Sequence, residues 1–167
     1  MDTFAGLLGI HWALLGAAVA VIGGGIGSAM GITYIANVAS GIITEDPDKF
    51  GPLIPLIAIP GTQGIYGFIT GVLVAFIMAP AGGWKNYANM PAIAGFMIFL
   101  ACLPVAFNCC ISAIYQGLTS VGAAGMVAKR REEAGRALVL PALVETYAVL
   151  SLITTIILLV VVIKGTY

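Results

Sequence analysis

Four long apolar stretches dominate the sequence and constrain its fold more than any other feature. They cover residues 11–43, 51–79, 91–128 and 137–163. Each exceeds the roughly 20 residues that an α-helix needs to cross the hydrocarbon core of a bilayer. Only 8% of the 167 residues are charged, whereas soluble globular domains carry about 25%. The sequence therefore predicts an all-α membrane protein with four transmembrane helices.

Three short polar connections separate these stretches, at 44–50, 80–91 and 129–136. Because connections this short join antiparallel neighbours, we expect two tandem helical hairpins. The first hairpin covers residues 1–85 and the second covers residues 86–167. Small residues recur in both hairpins, which indicates a duplication.

The basic residues are divided unevenly between the two ends of the predicted helices. Five of the seven lie in the first and third connections: Lys49, Lys129, Arg130, Arg131 and Arg136. Lys85 and Lys164 lie at the opposite end. The positive-inside rule then predicts that both of these connections are cytoplasmic and both termini are outside. Seven basic and seven acidic residues cancel, so the charge gives no indication of a nucleic-acid partner.

A stripe of glycines runs along the first stretch, where Gly23, Gly27 and Gly31 recur every four residues in "GGGIGSAMG". In lipid, such stripes let helix backbones approach closely. The third stretch has a weaker counterpart in Ala113, Gly117 and Gly125. We therefore expect the first and third helices to pack tightly. The glycine-rich segment has no Lys-Ser/Thr pair and does not fit a phosphate-binding loop.

Glu145 is the only acidic residue inside an apolar stretch. A charged side chain at the centre of a bilayer costs about 2.5–3.5 kcal/mol on insertion scales. No Lys or Arg lies within the four stretches to neutralise it. Its partner must be a proton, a metal cation or neutral polar groups.

The depth of each polar residue follows from the helical rise. Glu145 lies about 12 Å into the fourth helix, counted from its predicted cytoplasmic end. Thr62 and Gln63 lie about 17 Å into the second helix, and Gln116 about 18 Å into the third. The two glutamines of the chain are thus predicted to lie at a similar level to Glu145.

These side chains supply a hydroxyl, two amides and one carboxylate, with Tyr66 and Tyr147 expected nearby. Oxygen ligands suit a hard cation and do not suit zinc. The single carboxylate matches a monovalent ion, and the neutral oxygens favour Na⁺ over H⁺ while leaving the proton open. Pro60 interrupts the helical hydrogen-bond ladder and gives a nearby backbone carbonyl room to turn toward an ion.

Three motifs carry a family resemblance: "LIAIPGTQGIYGF" in the second stretch, "SAIYQG" in the third and "LVETYA" in the fourth. Together they resemble the sodium-binding membrane rotor subunit of bacterial V/A-type ATPases, a duplicated proteolipid called subunit K. The resemblance extends over essentially the whole chain, including the glycine stripe and the single retained carboxylate.

The resemblance implies a set of site residues. Na⁺ would be held by Thr62, Gln63, Gln116, Glu145 and the backbone carbonyl of Ile59. Tyr66 would donate a hydrogen bond to the carboxylate. The resemblance also implies a ring of identical copies in the lipid of a bacterial cell membrane. This ring would turn against a stator subunit that bears an essential arginine, and it would attach to a central-stalk subunit. ATP would be hydrolysed elsewhere in the complex.

Three alternatives remain open from the residues alone. The same rotor could carry H⁺ instead of Na⁺. A small four-helix secondary transporter could use Glu145 for organic cations, and a purely structural four-span protein would leave this residue without a role. A closed ring of many copies favours the rotor, whereas a dimer favours the transporter.

Overall fold

The computed structural model describes residues 2–78 and 90–165. Within them lie five α-helices: α1 (Asp2–Glu45), α2 (Phe50–Ala58), α3 (Thr62–Met78), α4 (Ala92–Lys129) and α5 (Ala134–Gly165). Three single 3₁₀ turns lie at Pro47–Lys49, Ile59–Gly61 and Arg131–Glu133. Together these elements form four segments long and apolar enough to cross a membrane. The predicted all-α fold with four spans in two tandem hairpins is confirmed.

The largest differences from the sequence prediction are at the start of the first span and within the second span. α1 begins at Asp2, well before residue 11, because the apolar pattern continues towards the N-terminus. The second span is interrupted, since α2 ends at Ala58 and a 3₁₀ turn precedes α3. The second connection, with Lys85 and the expected division between residues 85 and 86, lies outside the described residues.

The two hairpins pack side by side, and α1 and α4 form the largest contact between them. Within the hairpins, α1 packs on α3 and α4 packs on α5. A smaller contact joins α3 to α5. The first and third spans thus form one layer, and the second and fourth spans form the other.

Glycines bring α1 and α4 almost backbone to backbone. A methyl group added to Gly27 would lie 2.5 Å from the carbonyl oxygen of Cys110. One added to Gly23 or Gly31 would collide with the carbonyl oxygens of Ala106 and Ala113, respectively. The stripe is therefore a contact within one chain.

The glycine stripe of α4 is shorter than the sequence suggested. A methyl group on Gly117 would collide with the backbone of Gly31, so Gly117 belongs to the close contact. One on Gly125 would meet nothing within 4 Å in the described part of the chain. The expectation that Gly125 belongs to this contact was wrong.

The first connection is tied to the second hairpin by Lys49. Its ammonium group donates a 2.6 Å hydrogen bond to the carbonyl oxygen of Ala128, in the last turn of α4. It also lies 3.2 Å from the carboxylate of Asp46. A cation is favourable at this position because carbonyl groups at the C-terminal end of a helix lack intrahelical partners.

Two apolar clusters lie on either side of a layer of polar side chains along the helix axes. One cluster is centred on Val74, Val105 and Leu159, and the other on Ile35, Leu53 and Val127. The polar side chains between the clusters are thereby enclosed at both ends, which strengthens their electrostatic interactions.

Candidate functional site

The interruption of the second span places Thr62 at the start of a new helix. Pro60 has no backbone N–H to donate, so the regular ladder changes to a 3₁₀ turn at this point. The carbonyl oxygen of Ile59 accepts a hydrogen bond from the Thr62 backbone N–H. It also lies 2.8 Å from the Thr62 hydroxyl oxygen. One backbone oxygen is thus held beside one side-chain oxygen.

Glu145 lies where three helices meet, and four side chains contact its carboxylate. Oε2 lies 2.8 Å from Thr62 Oγ1, 3.0 Å from Gln63 Nε2 and 2.8 Å from Gln116 Nε2. Oε1 accepts a 2.5 Å hydrogen bond from the Tyr66 hydroxyl. The residues that the sequence predicted at one level are therefore in direct contact.

The two glutamine side chains are fully buried, and each amide nitrogen has two partners. Gln63 Nε2 also donates to Gln116 Oε1 at 2.7 Å. Gln116 Nε2 also donates to the carbonyl oxygen of Pro141 at 2.9 Å. An amide nitrogen carries two hydrogens, so both amides use all their donors in this network.

The hydroxyl of Thr62 lies near more hydrogen-bond acceptors than it can donate to. Its oxygen lies 2.8 Å from the Ile59 carbonyl, 2.8 Å from Glu145 Oε2 and 3.2 Å from Gln63 Oε1. A hydroxyl has one hydrogen to donate. Four oxygens therefore cluster around a single hydroxyl hydrogen.

The remaining contacts hold the helices in this arrangement. The backbone N–H of Gly64 donates to Ser28 Oγ at 2.7 Å, which fixes the start of α3 against α1. On α4, Asn108 Nδ2 and Ser112 Oγ donate to the carbonyl oxygens of Tyr147 and Val144 at 2.8 and 3.2 Å. These two residues join α4 to α5 and do not contact Glu145.

Comparison with known proteins places this chain in a family. The sequence profile of the ATP synthase C subunit matches the chain twice, at residues 15–74 and 99–158. The chain belongs to the family of ATP synthase C subunits. Its two repeats identify it as a duplicated proteolipid of the subunit K type. It is therefore a non-catalytic rotor-ring subunit in the membrane sector of a V/A-type ATPase.

Two relatives extend over most of this proteolipid. The V-type sodium ATPase subunit K of Enterococcus hirae is 34% identical over 145 residues, which cover 87% of this chain and 88% of the relative. The A-type ATP synthase subunit K of Methanocaldococcus jannaschii is 37% identical over 151 residues, covering 90% of this chain and 63% of the relative. Both matches span the two hairpins.

Sequence reasoning about the proteolipid site missed two contacts and misplaced one residue. Ser28 and the Pro141 carbonyl were not anticipated, although Pro141 lies one helical turn before Glu145 and so shares its face. Tyr147 was expected near the site, but it is 63% exposed, and within the described residues no side-chain hydrogen bond joins it to Glu145. Tyr66 supplies the phenol that donates a hydrogen bond to Glu145.

Proposed function

We propose that Glu145 of this rotor protein binds and carries Na⁺ as the ring turns. The ion is held by Thr62, Gln63, Gln116, Glu145 and the carbonyl oxygen of Ile59. The observation that carries this proposal is the oxygen cluster around Thr62, where one hydroxyl hydrogen faces three acceptors. A cation offsets such an excess of lone pairs, whereas one further proton satisfies only one of them.

The two glutamines can serve either as hydrogen-bond donors or as ligands. Both amide nitrogens face Glu145 Oε2 in the structure. The amide oxygen and nitrogen occupy nearly the same volume, so a half-turn of the terminal amide exchanges them. The same two side chains then stabilise a carboxylate through N–H groups or contribute oxygens to a bound cation.

A rotor needs these ligands because a bound ion neutralises the charge of Glu145. A bare carboxylate at mid-membrane costs about 2.5–3.5 kcal/mol, and Glu145 is only half-buried in one chain. With Na⁺ bound, the site has no net charge and can pass lipid. An arginine on the stator subunit then promotes release of the ion. Each charge moved involves about 2.3 kcal/mol per 100 mV, which rotor torque or the ion gradient supplies.

The preference for Na⁺ has support from one relative, whose name describes a sodium ATPase. A proton is the competing cargo, since a carboxylate alone can carry it. The donor set favours the metal ion, because Thr62 and the two glutamines add neutral oxygens that proton transfer does not require.

The division of the chain into two hairpins and its orientation in the membrane are also proposals. The division into hairpins 1–85 and 86–167 follows the duplication. In the cell membrane, connections 44–50 and 129–136 face the cytoplasm, where the ring attaches to the central stalk. The support is the basic residues, five of which lie in these two connections.

Labelling of Glu145 with a hydrophobic carbodiimide tests the cargo. Membranes containing the assembled complex are treated at several pH values with added NaCl, or with KCl at equal ionic strength. We expect Na⁺ to slow the labelling and K⁺ to leave it unchanged. Labelling that varies with pH and does not respond to Na⁺ would favour the proton rotor.

A further inference from the structure

The N-terminal end of α3 leaves backbone N–H groups without partners inside the helix. The first four N–H groups of an α-helix have no intrahelical acceptor, and at the start of α3 the Thr62 N–H is paired with the Ile59 carbonyl. A side chain at the N-cap position ordinarily accepts from the second or third residue of the helix. Gly61 precedes α3 and has no side chain. The residue before α3 therefore cannot cap the helix.

Ser28 on α1 supplies this cap from another helix. The backbone N–H of Gly64, the third residue of α3, donates to Ser28 Oγ at 2.7 Å. Ser28 is only 6% exposed, so little water competes for this N–H group. A methyl group added to Gly64 would lie 3.2 Å from the same oxygen. The absence of a side chain at Gly64 thus gives the hydroxyl room to approach the main chain.

Two further contacts hold the start of α3 against the same face of α1. This face contains Ala20, Gly24 and Ser28, which are spaced by four residues. A methyl group added to Gly24 would lie 2.5 Å from the carbonyl oxygen of Gln63. One added to Gly67 would collide with the carbonyl oxygen of Ala20. The first turn of α3 is therefore in direct contact with the backbone of α1.

This face of α1 is distinct from the glycine stripe that meets α4. Gly24 directly follows Gly23, and Ser28 directly follows Gly27, so the two faces are turned by about 100° from each other. The glycine stripe packs the two hairpins together, whereas the face with Ser28 contacts the helix that carries two of the proposed ligands. The segment "GGGIGSAMG" thus contacts two different helices.

Two of the proposed oxygen ligands depend on the geometry of this turn. Thr62 is the first residue of α3, and its hydroxyl oxygen lies 2.8 Å from Glu145 Oε2. The carbonyl oxygen of Ile59 lies 2.8 Å from the same hydroxyl oxygen. Gly64 follows Thr62 by two residues. A rotation of the first turn that gave the Gly64 N–H another acceptor would therefore also move this pair of oxygens.

The cap also affects the electrostatic potential at the ion. The N-terminal end of a helix carries a partial positive charge, which resides on its unpaired N–H groups. This charge disfavours a cation beside Thr62. The hydroxyl oxygen of Ser28 pairs with one of these N–H groups and thereby lowers the positive potential at the site.

We propose that Ser28 is a positioning residue for the ion site. By capping α3, it holds the Thr62 hydroxyl and the Ile59 carbonyl where a cation can contact both. Ser28 is not itself a ligand, since its hydrogen bond is to the Gly64 backbone. α1 thus takes part in ion binding although none of the proposed ligands lies on it. The proposal rests on the assignment of Na⁺ to Glu145.

Protection of Glu145 from a hydrophobic carbodiimide tests this proposal in the assembled complex. The NaCl concentration that halves the labelling rate is measured in membranes, with KCl holding the ionic strength constant. We expect Ser28→Ala to raise this concentration about three- to tenfold, where tenfold corresponds to about 1.4 kcal/mol. Saturating Na⁺ should still protect Glu145 fully, because every proposed ligand is present.

Ser40→Ala is the matched control on the same helix. Its hydroxyl donates to the Asn37 carbonyl at 2.8 Å on the exposed surface of α1. This variant should require the same Na⁺ concentration as the unmodified chain. An equal shift in both variants would show that the effect is not specific to the cap.

Native gels and thermal melting of the ring separate positioning from packing. A ring that Ser28→Ala destabilises or abolishes, without a change in the half-protecting Na⁺ concentration, would assign Ser28 to packing and overturn the proposal. An intact ring with unchanged protection would overturn it as well. If Na⁺ did not protect the unmodified complex, the sodium assignment itself would fail, and the role of Ser28 with it.

Discussion

Thr62 and Glu145 meet across 83 residues of sequence, with the hydroxyl oxygen of Thr62 2.8 Å from Glu145 Oε2. The first residue belongs to one hairpin and the second to the other. The site therefore exists only when the hairpins are packed together. Because a ligand that binds only the folded state stabilises it, an ion bound here should also stabilise the contact between hairpins.

We expect Glu145→Gln to abolish ion translocation and carbodiimide labelling while the ring still assembles. Glutamine has nearly the same shape and keeps one oxygen for Thr62 and Gln116, but it cannot carry a charge. Transport by reconstituted complexes and native gels measure the two properties. Normal transport by this variant would exclude Glu145 as the carrier.

We expect Gln116→Ala and Thr62→Ala to raise the Na⁺ concentration needed for half-maximal transport. Each removes one oxygen and leaves the carboxylate in place, and a loss of about 1.4 kcal/mol corresponds to tenfold in affinity. Thr146→Ala is the matched control, because its hydroxyl donates to the Leu143 carbonyl on the exposed face of α5. An equal effect of the control would show that the changes are not specific to the site.

We expect Gly27→Leu to remove the assembled ring. A side chain at Gly27 meets the backbone of Cys110 in the same chain, so the two hairpins cannot pack. Gly41→Leu is the control on the same helix, because a methyl group there meets nothing within 4 Å in the described residues. A ring of unchanged stability from Gly27→Leu, measured by native gel and thermal melting, would refute the close contact.

The sequence predicted the four spans and the shared depth of the polar residues because hydropathy and helical rise determine both. Depth arithmetic brought Gln63, Gln116 and Glu145 to one level, and the structure has all three in contact. It did not indicate which way each amide points. The orientation of each amide depends on the whole hydrogen-bond network. This network includes the backbone carbonyl of Pro141, which cannot be identified from the pattern of side chains.

Two predictions were wrong because they did not take into account how far each residue is rotated about the helix axis. Tyr147 follows Glu145 by two residues, which turns its side chain by about 200° around α5. Gly125 follows Ala113, which does contact α1, by twelve residues and is turned by about 120° from it. Closeness in sequence was therefore a poor guide to these contacts, because the angular position of each residue about the helix axis determines which neighbours it can reach. Ser28 was missed for a different reason, since its role depends on the free N–H of Gly64 after the interruption at Pro60.

We expect ATP-driven transport by the unmodified complex to require Na⁺. If Na⁺ and H⁺ compete for the carboxylate of Glu145, protons displace the metal ion at low pH. The Na⁺ concentration for half-maximal activity should therefore fall as the pH rises. Activity is measured in sodium-depleted buffer with KCl holding the ionic strength constant. Glu145→Gln supplies the background, because it retains the neutral ligands without the charge. Full activity at neutral pH without Na⁺ would overturn the sodium assignment and leave a rotor of the same architecture that carries protons.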